Sequence, residues 1–364
     1  MSAELRRSGI LAFAAMSLVA VVSFAAHAQT LTPAAGCGPD AATDPKPLEH
    51  KVARCAANSP PPMPLPAKTV VKLASLSTKI ENFLPIAIGL AKGEFLKENI
   101  DLQIENMPSS DAFQLMAQDK IDMAWTSPDG GFLNATNQGF DLVWALANYS
   151  AAPNSKTGLW VKKGVAPADL KGKIIGTVVG PGSITMYPQG IAFAKGGFTA
   201  GDIVLQRFDV QGTVLALENG AVQGAWLLDP VWTKFANDPN YVFMQGQPLG
   251  EPLGGVIYGP TMRKNRAAGV GFARAMARIY NTYLDGDYKA DPVKVKEMAA
   301  ILGVPETSLT AVPSNIWDWE IRDGTMTRIQ DAVLLTKALM YTKPQPEAKL
   351  VDRSFYQEAI GRKM

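Results

Sequence analysis

Side chains that carry acid–base, nucleophilic or metal chemistry are scarce in this chain. Its 364 residues include only two histidines and two cysteines, the types that often move protons, attack carbon or ligate transition metals. No His or Cys occurs from Ala67 onward. The sequence therefore predicts no metal site, no cofactor and no catalytic residue, and it favours binding over turnover.

Hydroxyl and amide groups instead cluster where strand-like segments give way to helix-like ones. Gly182 and Ser183 end the turn Gly180-Pro181-Gly182-Ser183, and Thr185 follows. Free N–H groups and the dipole at a helix start favour an anionic or carbonyl oxygen. Ser109 and Ser110 begin a second helical pattern. The alternative for both turns is that the side chains only cap their own helices.

Two acids follow strand-like segments in different halves of the chain. Ser127 and Asp129 come after a short strand, and Asp229 comes after Trp226. If both carboxylates face one cleft, they favour a ligand that carries donors, such as an amine. The alternative for each acid is a turn or a helix cap.

Aromatic and basic residues complete the candidate set. Phe83, with Thr78 and Asn82, follows the first strand and could stack on a planar ligand. Trp125, Trp160 and Trp226 lie at or near strand ends. Most such tryptophans belong to the core, but about one in three is expected to line the cleft with its amphipathic ring, and Trp226 is the candidate among these three. Lys79 and Arg207 could meet an anion, but solvated surface charge is the expected role. These groups favour a neutral or aminated organic ligand.

Strand-like and helix-like segments alternate along most of the chain, which indicates βαβ units and mostly parallel sheets. Strands are expected at 69–74, 102–104, 121–125, 142–147, 159–161, 173–179, 203–208, 225–227, 241–243 and 256–258. Helices are expected at 83–99, 183–195, 214–219, 271–284, 293–302 and 329–340.

The N-terminus has the pattern of a secretory signal peptide. Arg6 and Arg7 precede an apolar run, and Ala26-His27-Ala28 supplies the small residues of a cleavage site before Gln29. The run is shorter than the ~20 residues of a membrane span. We expect residues 1–28 to be removed and the mature protein to be periplasmic. Whether export uses the Sec or the twin-arginine route stays open.

A Pro-rich leader follows at residues 29–66. Cys37 and Cys55 lie 18 positions apart in it, and in an oxidising compartment a disulfide is the simplest pairing. The run from Pro60 to Pro66 predicts an extended, semi-rigid spacer without a role in chemistry.

Charge and length narrow the function further. A net charge of +2 argues against a nucleic-acid binder, which needs a basic surface for phosphates. The length suits two domains or lobes.

Four motifs, in order, resemble the nitrate/sulfonate/taurine (thiamine-precursor-like) branch of periplasmic ABC-transporter substrate-binding proteins. They are Gly93-Glu94-Phe95, Asp119-Lys120-Ile121-Asp122, Gly180-Pro181-Gly182-Ser183 and the segment from Glu218 to Pro230. Gly224 stands where that family usually has Asp.

The resemblance implies a type II periplasmic-binding fold, an α/β architecture of two lobes with a ligand cleft between them. Lobe 1 is expected at 67–162 plus 255–364, and lobe 2 at 163–254. Ligands of open α/β sheets bind outside the carboxyl ends of the strands, and hinge closure traps them.

The function implied is capture of a small organic molecule (a sulfonate, carboxylate, amine or pyrimidine) for an ABC permease in the inner membrane, by a monomer. The alternatives are an exported enzyme and a ligand-presenting sensor module. Cytoplasmic relatives that make a thiamine precursor use a Cys-rich motif and a His, which this body lacks.

Overall fold

The computed structural model describes residues 32–38, 41 and 52–362. The signal-peptide prediction for residues 1–28 lies outside these described residues. Helices alternate with strands, as the sequence predicts. The helices are α1 Leu84–Ala91, α2 Ser109–Met116, α3 Gly130–Asn137, α4 Met186–Lys195, α5 Val210–Asn219, α6 Pro260–Lys264, α7 Arg266–Tyr283, α8 Pro292–Leu302, α9 Glu306–Thr310, α10 Thr325–Leu335, α11 Glu347–Leu350 and α12 Ser354–Ala359. Across the part of the chain described, no helix has the length and apolarity to cross a membrane.

The first lobe is built on a sheet of strand order β2-β1-β3-β11-β4. β1 pairs in parallel with β2 and β3, whereas β11 runs antiparallel to β3 and β4. These strands are β1 Thr69–Ser75, β2 Ile100–Asn106, β3 Met123–Thr126, β4 Val143–Ala147 and β11 Gly255–Tyr258.

The second lobe is built on a sheet of order β10-β6-β9-β7-β8. β7 is parallel to β8 and β9, and β6 is antiparallel to β9 and β10. These strands are β6 Gly158–Lys162, β7 Ile174–Thr177, β8 Val204–Arg207, β9 Gly224–Leu227 and β10 Tyr241–Gly246. A small ribbon joins β5 Tyr149–Ser150 to β12 Ile316–Trp317.

Both large sheets are mixed, and this refines the expectation of mostly parallel sheets. In each sheet, the first strand after a crossing from the other lobe is antiparallel to its neighbours. This strand is β11 in the first lobe and β6 in the second. A strand that arrives through a crossing, without a helical connection, has no βαβ geometry to make it parallel.

The chain passes between the lobes at residues 151–157 and 247–254, and we call these segments the two crossings. The sequence-based boundary at residue 162 is therefore too late, because β6 is hydrogen-bonded within the second sheet. One buried apolar cluster also includes side chains from both lobes, among them Trp144 of β4 and Trp226 of β9.

The Pro-rich leader is packed onto the first lobe and is not a free spacer. Arg278 of α7 donates to the Pro60 carbonyl at 3.1 Å, and Arg274 donates to the Met63 carbonyl at 3.2 Å. The Met63 amide donates to the Glu98 carboxylate at 3.2 Å. Sequence periodicity could not show this docking because the partners lie far apart in the chain.

The predicted disulfide is confirmed. Cys37 and Cys55 are joined by an S–S bond of 2.11 Å, and Cys37 is buried. The Cys55 amide donates to the side-chain oxygen of Asn281 in α7 at 3.1 Å. The bridge therefore fastens the start of the leader to the same helix that holds its Pro-rich part.

A buried ion-pair network lies beneath the leader. Arg278 contacts Glu94 at 3.0 Å and Glu98 at 2.5 Å, and all three side chains are almost fully buried. Burial alone would raise the pKa of Glu94, but hydrogen bonds from Lys97 and Arg278 outweigh it and lower the pKa. The leader thus covers charges that would otherwise meet solvent.

Candidate functional site

A cleft of 670 Å³ lies between the two lobes. The first lobe contributes the ends of β1 and β3 and the starts of α2 and α3, and the second lobe contributes the loop after β7 and the end of β8. The cleft is thus at the carboxyl ends of parallel strands, where α/β folds bind ligands. Polar groups in its lining are Ser75, Ser109, Thr126, Ser127, Asp129, Asn134, Ser183 and Arg207.

Two glycines bring the lobes into direct contact beside this cleft. The Gly130 amide of α3 donates to the Gly182 carbonyl at 2.7 Å. A Cβ built on Gly130 would lie 3.1 Å from the Gly182 Cα, and one on Gly182 would lie 3.3 Å from the Gly130 Cα. Only residues without a side chain allow the two backbones to approach this closely.

Five of the predicted ligand-binding residues line the cleft, namely Ser109, Ser127, Asp129, Gly182 and Ser183, and so does the basic candidate Arg207. Their direct contact with a ligand stays a prediction. Three of them, Ser127, Asp129 and Ser183, also make hydrogen bonds within the protein.

The hydroxyls of Ser127 and Ser183 are engaged within the protein. Ser127 Oγ donates to the Leu253 carbonyl at 2.8 Å, which ties the end of β3 to the second crossing. Ser183 Oγ accepts from the amide of Thr185 at 3.2 Å and from its hydroxyl at 3.1 Å. Part of the hydrogen-bonding capacity of Ser183 is therefore used within its own turn, which is the local role considered as the alternative to ligand binding.

Asp129 caps α3 and faces the cleft. Its Oδ1 accepts from the Gly131 amide at 2.9 Å. Burial raises the pKa of Asp129, and hydrogen bonds from backbone amides only partly oppose that rise. This carboxylate is thus occupied by a helix start and is less ready to bind an amine than the sequence suggests.

The free donors of the cleft lie on opposite lobes. Arg207 lies at the end of β8 and is exposed, and among the described residues it has no ion-pair partner. On the first lobe, α2 begins at Ser109 after Pro108, and no side chain caps it. An uncapped helix start carries partial positive charge. The Arg207 guanidinium and the free amides of that helix start favour an anionic group between them, while the Asp111 carboxylate in the first turn offsets part of the positive charge of the helix end.

The other predicted residues lie outside this lining. Phe83 and Trp226 are buried in the core, and Thr185 is buried under Ser183. Ser110 is exposed, and Thr78 is half-buried. Asn82 accepts a hydrogen bond from the Trp125 indole N–H through its side-chain oxygen. Trp125, not Trp226, is the tryptophan that lines the cleft.

Asp229 lies near Glu81 and not near Asp129, the acid with which the sequence pairs it. Its carboxylate is exposed and accepts from the Trp232 indole N–H. Its charge acts on Glu81 of the first lobe: burial raises the pKa of Glu81, Lys289 opposes that rise, and the Asp229 charge adds a small part to it. Tyr149 lies in the same region, where burial and then the Asp229 charge raise its pKa. Asp129 and Asp229 therefore do not converge on the 670 Å³ cleft.

Sequence reasoning missed Ser75, Asn134 and the glycines that open α3 as cleft residues. The Asn134 side chain donates to the Ala338 carbonyl and accepts from the Met340 amide. Because these partners lie 204 and 206 positions away in the chain, the local sequence could not show that Asn134 lines the cleft. The run Asp129-Gly130-Gly131 did offer a signal, because an Asp before a polar turn is a common helix N-cap.

Comparisons with known proteins agree with this architecture. Residues 80–247 match the family model described as NMT1/THI5 like. A search of curated proteins gave no match.

Solved structures similar to the chain include three periplasmic proteins. The sulfonate-binding protein SsuA from Methylobacillus flagellatus has a TM-score of 0.60 and 16% identity, covering 81% of this chain and 94% of its own. The aliphatic sulphonate binding protein SsuA from Escherichia coli has a TM-score of 0.57 and 16% identity, covering 80% and 99%. The nitrate-binding protein NrtA from Synechocystis PCC 6803 has a TM-score of 0.52 and 14% identity, covering 82% and 89%.

These matches confirm the resemblance found in the sequence and the two-lobed α/β fold. At such identities the structural likeness speaks for the fold alone.

Proposed function

We propose that this chain, which carries an NMT1/THI5-like domain on the two-lobed fold of periplasmic binding proteins, is the solute-binding component of an ABC importer. It captures a small organic molecule between its lobes and delivers it to a permease in the inner membrane. The observation that carries the proposal is the cleft, because both lobes contribute polar groups to one cavity. Its volume of 670 Å³ lies within the range of small-molecule sites.

The charges around the cleft favour an anionic ligand, such as an organic sulfonate or carboxylate. Arg207 supplies a full positive charge and the start of α2 supplies free N–H donors beside the Asp111 carboxylate, and Arg binds planar or tetrahedral oxyanions through several N–H donors. Asp129 is the acid in this lining, and its carboxylate already caps α3. The geometry thus points away from the neutral or aminated ligand that sequence composition favours.

Binding without turnover is part of the proposal. The cleft lining has no His or Cys, and the hydroxyls of Ser127 and Ser183 are engaged in internal hydrogen bonds. A nucleophilic Ser needs a base within hydrogen-bond reach. Export through the N-terminal signal would place the mature protein in the periplasm beside its permease.

A ligand panel tests the proposal. Thermal shift followed by calorimetry is run on the mature protein with alkanesulfonates, nitrate, carboxylates, pyrimidines and amines. We expect one-to-one binding of an organic anion without product formation. Turnover of any panel member would contradict the binding-protein assignment, and tight binding of a cation alone would contradict the anion preference.

Substitution of Arg207 tests the anion contact. Removal of a charged hydrogen bond costs about 1.5–3 kcal/mol, so Arg207→Gln should weaken anion binding by about 10- to 150-fold. Lys171→Gln is the matched control, since Lys171 is exposed on the same lobe away from the cleft. Equal affinities for the two variants would exclude Arg207 as a ligand contact.

A further inference from the structure

A buried extended segment, residues 316–322, lies behind both crossings. The Ala147 amide, at the end of β4, donates to the Trp319 carbonyl at 3.0 Å. The Asp318 amide donates to the Asn148 carbonyl at 2.9 Å, and the Asn148 amide donates to the Gly254 carbonyl at 3.1 Å. The first crossing starts just after Asn148, and the second ends at Gly254. This hinge-backing segment therefore bonds directly to residues 147–150, immediately before the first crossing, and is linked to the end of the second crossing through Asn148.

Glu320 is the unusual residue of the hinge-backing segment. Its side chain is buried at 1% exposure, and neither carboxyl oxygen has a hydrogen-bond partner among the described residues. The charged and titratable groups around it are Asp318, Arg322 and Asp323 on its own stretch of chain, and Arg353 and Tyr356 at the start of α12.

The neighbouring guanidinium groups donate to other acceptors, although the buried Nε of Arg322 has no partner among the described residues. Arg322 donates to the Asp318 carboxylate at 2.6 Å and to the main-chain carbonyl of Glu320 at 2.8 Å. Arg353 donates to the Ile321 carbonyl at 2.8 Å and to the Glu347 carboxylate at 2.7 Å. Neither guanidinium donates to the Glu320 carboxyl in this arrangement, so an ionised Glu320 would be a buried charge without a hydrogen bond, beside the charge of Asp318.

Burial without a hydrogen bond favours the neutral form of the Glu320 carboxyl over the ionised form. Burial, followed by the Asp318 charge, raises the pKa of Glu320 to about 7, despite the opposing charges of Arg322 and Arg353. An ordinary Glu in the unfolded chain titrates near 4.5. Between these values the folded protein holds one proton more than the unfolded chain, so stability falls as pH rises through this window.

We propose that Glu320 is a proton-controlled support of the hinge. With the carboxyl neutral, the hinge-backing segment keeps its bonds to residues 147–150, and through Asn148 the link to Gly254. With the carboxylate ionised, repulsion from Asp318 and the lack of donors loosen those bonds and free the hinge. The proposal rests on the two-lobed fold and does not depend on the ligand or on the proposed transport function.

Thermal unfolding of the mature protein from pH 5 to pH 9 tests it. Glu320→Gln should melt about 5 °C above the native protein at pH 8 and within about 1 °C of it at pH 5. Glu105→Gln, which removes an exposed carboxylate of β2, is the control and should follow the native profile. Parallel profiles for the native protein and Glu320→Gln would overturn the proposal.

Hydrogen exchange tests the link to the hinge. After correction for intrinsic rates, protection of the Ala147 and Asp318 amides should fall about tenfold or more between pH 6 and pH 8 in the native protein and stay constant in Glu320→Gln. Unchanged native protection would refute hinge control. Glu320→Met is a second neutral variant, and failure of both variants to fold would overturn the proposal because a neutral side chain would then not suffice.

Discussion

Replacement of Gly182 by Val should hold the two lobes apart. In the structure, an added Cβ would lie 3.3 Å from the Gly130 Cα, 3.5 Å from its amide nitrogen and 3.7 Å from the Ala338 Cβ. The branched methyl groups of Val extend beyond that Cβ, toward the other lobe. Gly182 has no positive φ, so the substitution does not strain its own backbone.

The size of the effect follows from the contact that is lost. The hydrogen bond from the Gly130 amide to the Gly182 carbonyl, 2.7 Å long, forms only when the lobes meet. Its loss costs about 0.5–1.5 kcal/mol. Since 1.4 kcal/mol corresponds to about a tenfold change in an equilibrium constant, and steric overlap adds to this cost, the ratio of closed to open molecules should fall about tenfold.

Single-molecule energy transfer between the lobes measures that ratio. Dyes can be attached to cysteines introduced at the exposed positions Asn137 and Ala194, because the two native cysteines are joined to each other. Gly180→Val is the matched control: it lies in the same loop, and an added Cβ there meets nothing within 4 Å. If both variants show the same distance distribution as the native protein, the glycine contact does not govern closure.

Two further experiments test how the leader is held: loss of Arg278, with Lys68 as the control, and loss of the disulfide. Arg278→Met should lower the free energy of unfolding by about 3–5 kcal/mol, because it removes the buried guanidinium that Glu94 and Glu98 share; Lys68→Met, which breaks an exposed pair with Asp101, should cost under about 1 kcal/mol. Urea unfolding measures both values, and equal losses would contradict the buried-network account. Removal of the bridge by Cys37→Ser with Cys55→Ser should cost roughly 3 kcal/mol for a loop of this length, and an unchanged unfolding midpoint would contradict it.

The strands could be predicted closely from the sequence because their signal is local. The prediction at 225–227 corresponds to Gly224–Leu227, and the prediction at 256–258 corresponds to Gly255–Tyr258. A short apolar run between turn residues is typical of a buried strand, because it is too short for most helices. Strand direction could not be predicted so well, since it depends on where the chain crosses between lobes.

Helix boundaries were less accurate where glycine intervenes. The single helix expected at 83–99 is divided, because α1 ends at Ala91 and Gly93 adopts a φ of +68°. Helix α3 was missed, as two glycines at its start lower the local helix propensity. It forms because Asp129 caps it and because Phe132 and Leu133 are buried.

The loops of the cleft could be predicted from topology, but their free atoms could not. Ser127 is engaged by Leu253, 126 positions away, and Trp125 is paired with Asn82, 43 positions away. Hydrogen bonds between such distant residues leave no local pattern. Arg207, expected to be plain surface charge, lines the cleft for the same reason.

The positions of the positive groups connect ligand charge to lobe closure. Arg207 belongs to the second lobe, and the uncapped start of α2 belongs to the first. As the lobes approach, an anion between them comes within reach of both the Arg207 guanidinium and the free amides of α2, whose partial positive charge is reduced by Asp111 in the first turn. Such an anion binds the closed form more tightly than the open form, and a ligand shifts a conformational equilibrium only through that difference in affinity. A cation gains nothing from closure at this position, so the arrangement selects against cations through the conformational equilibrium as well as through direct contact.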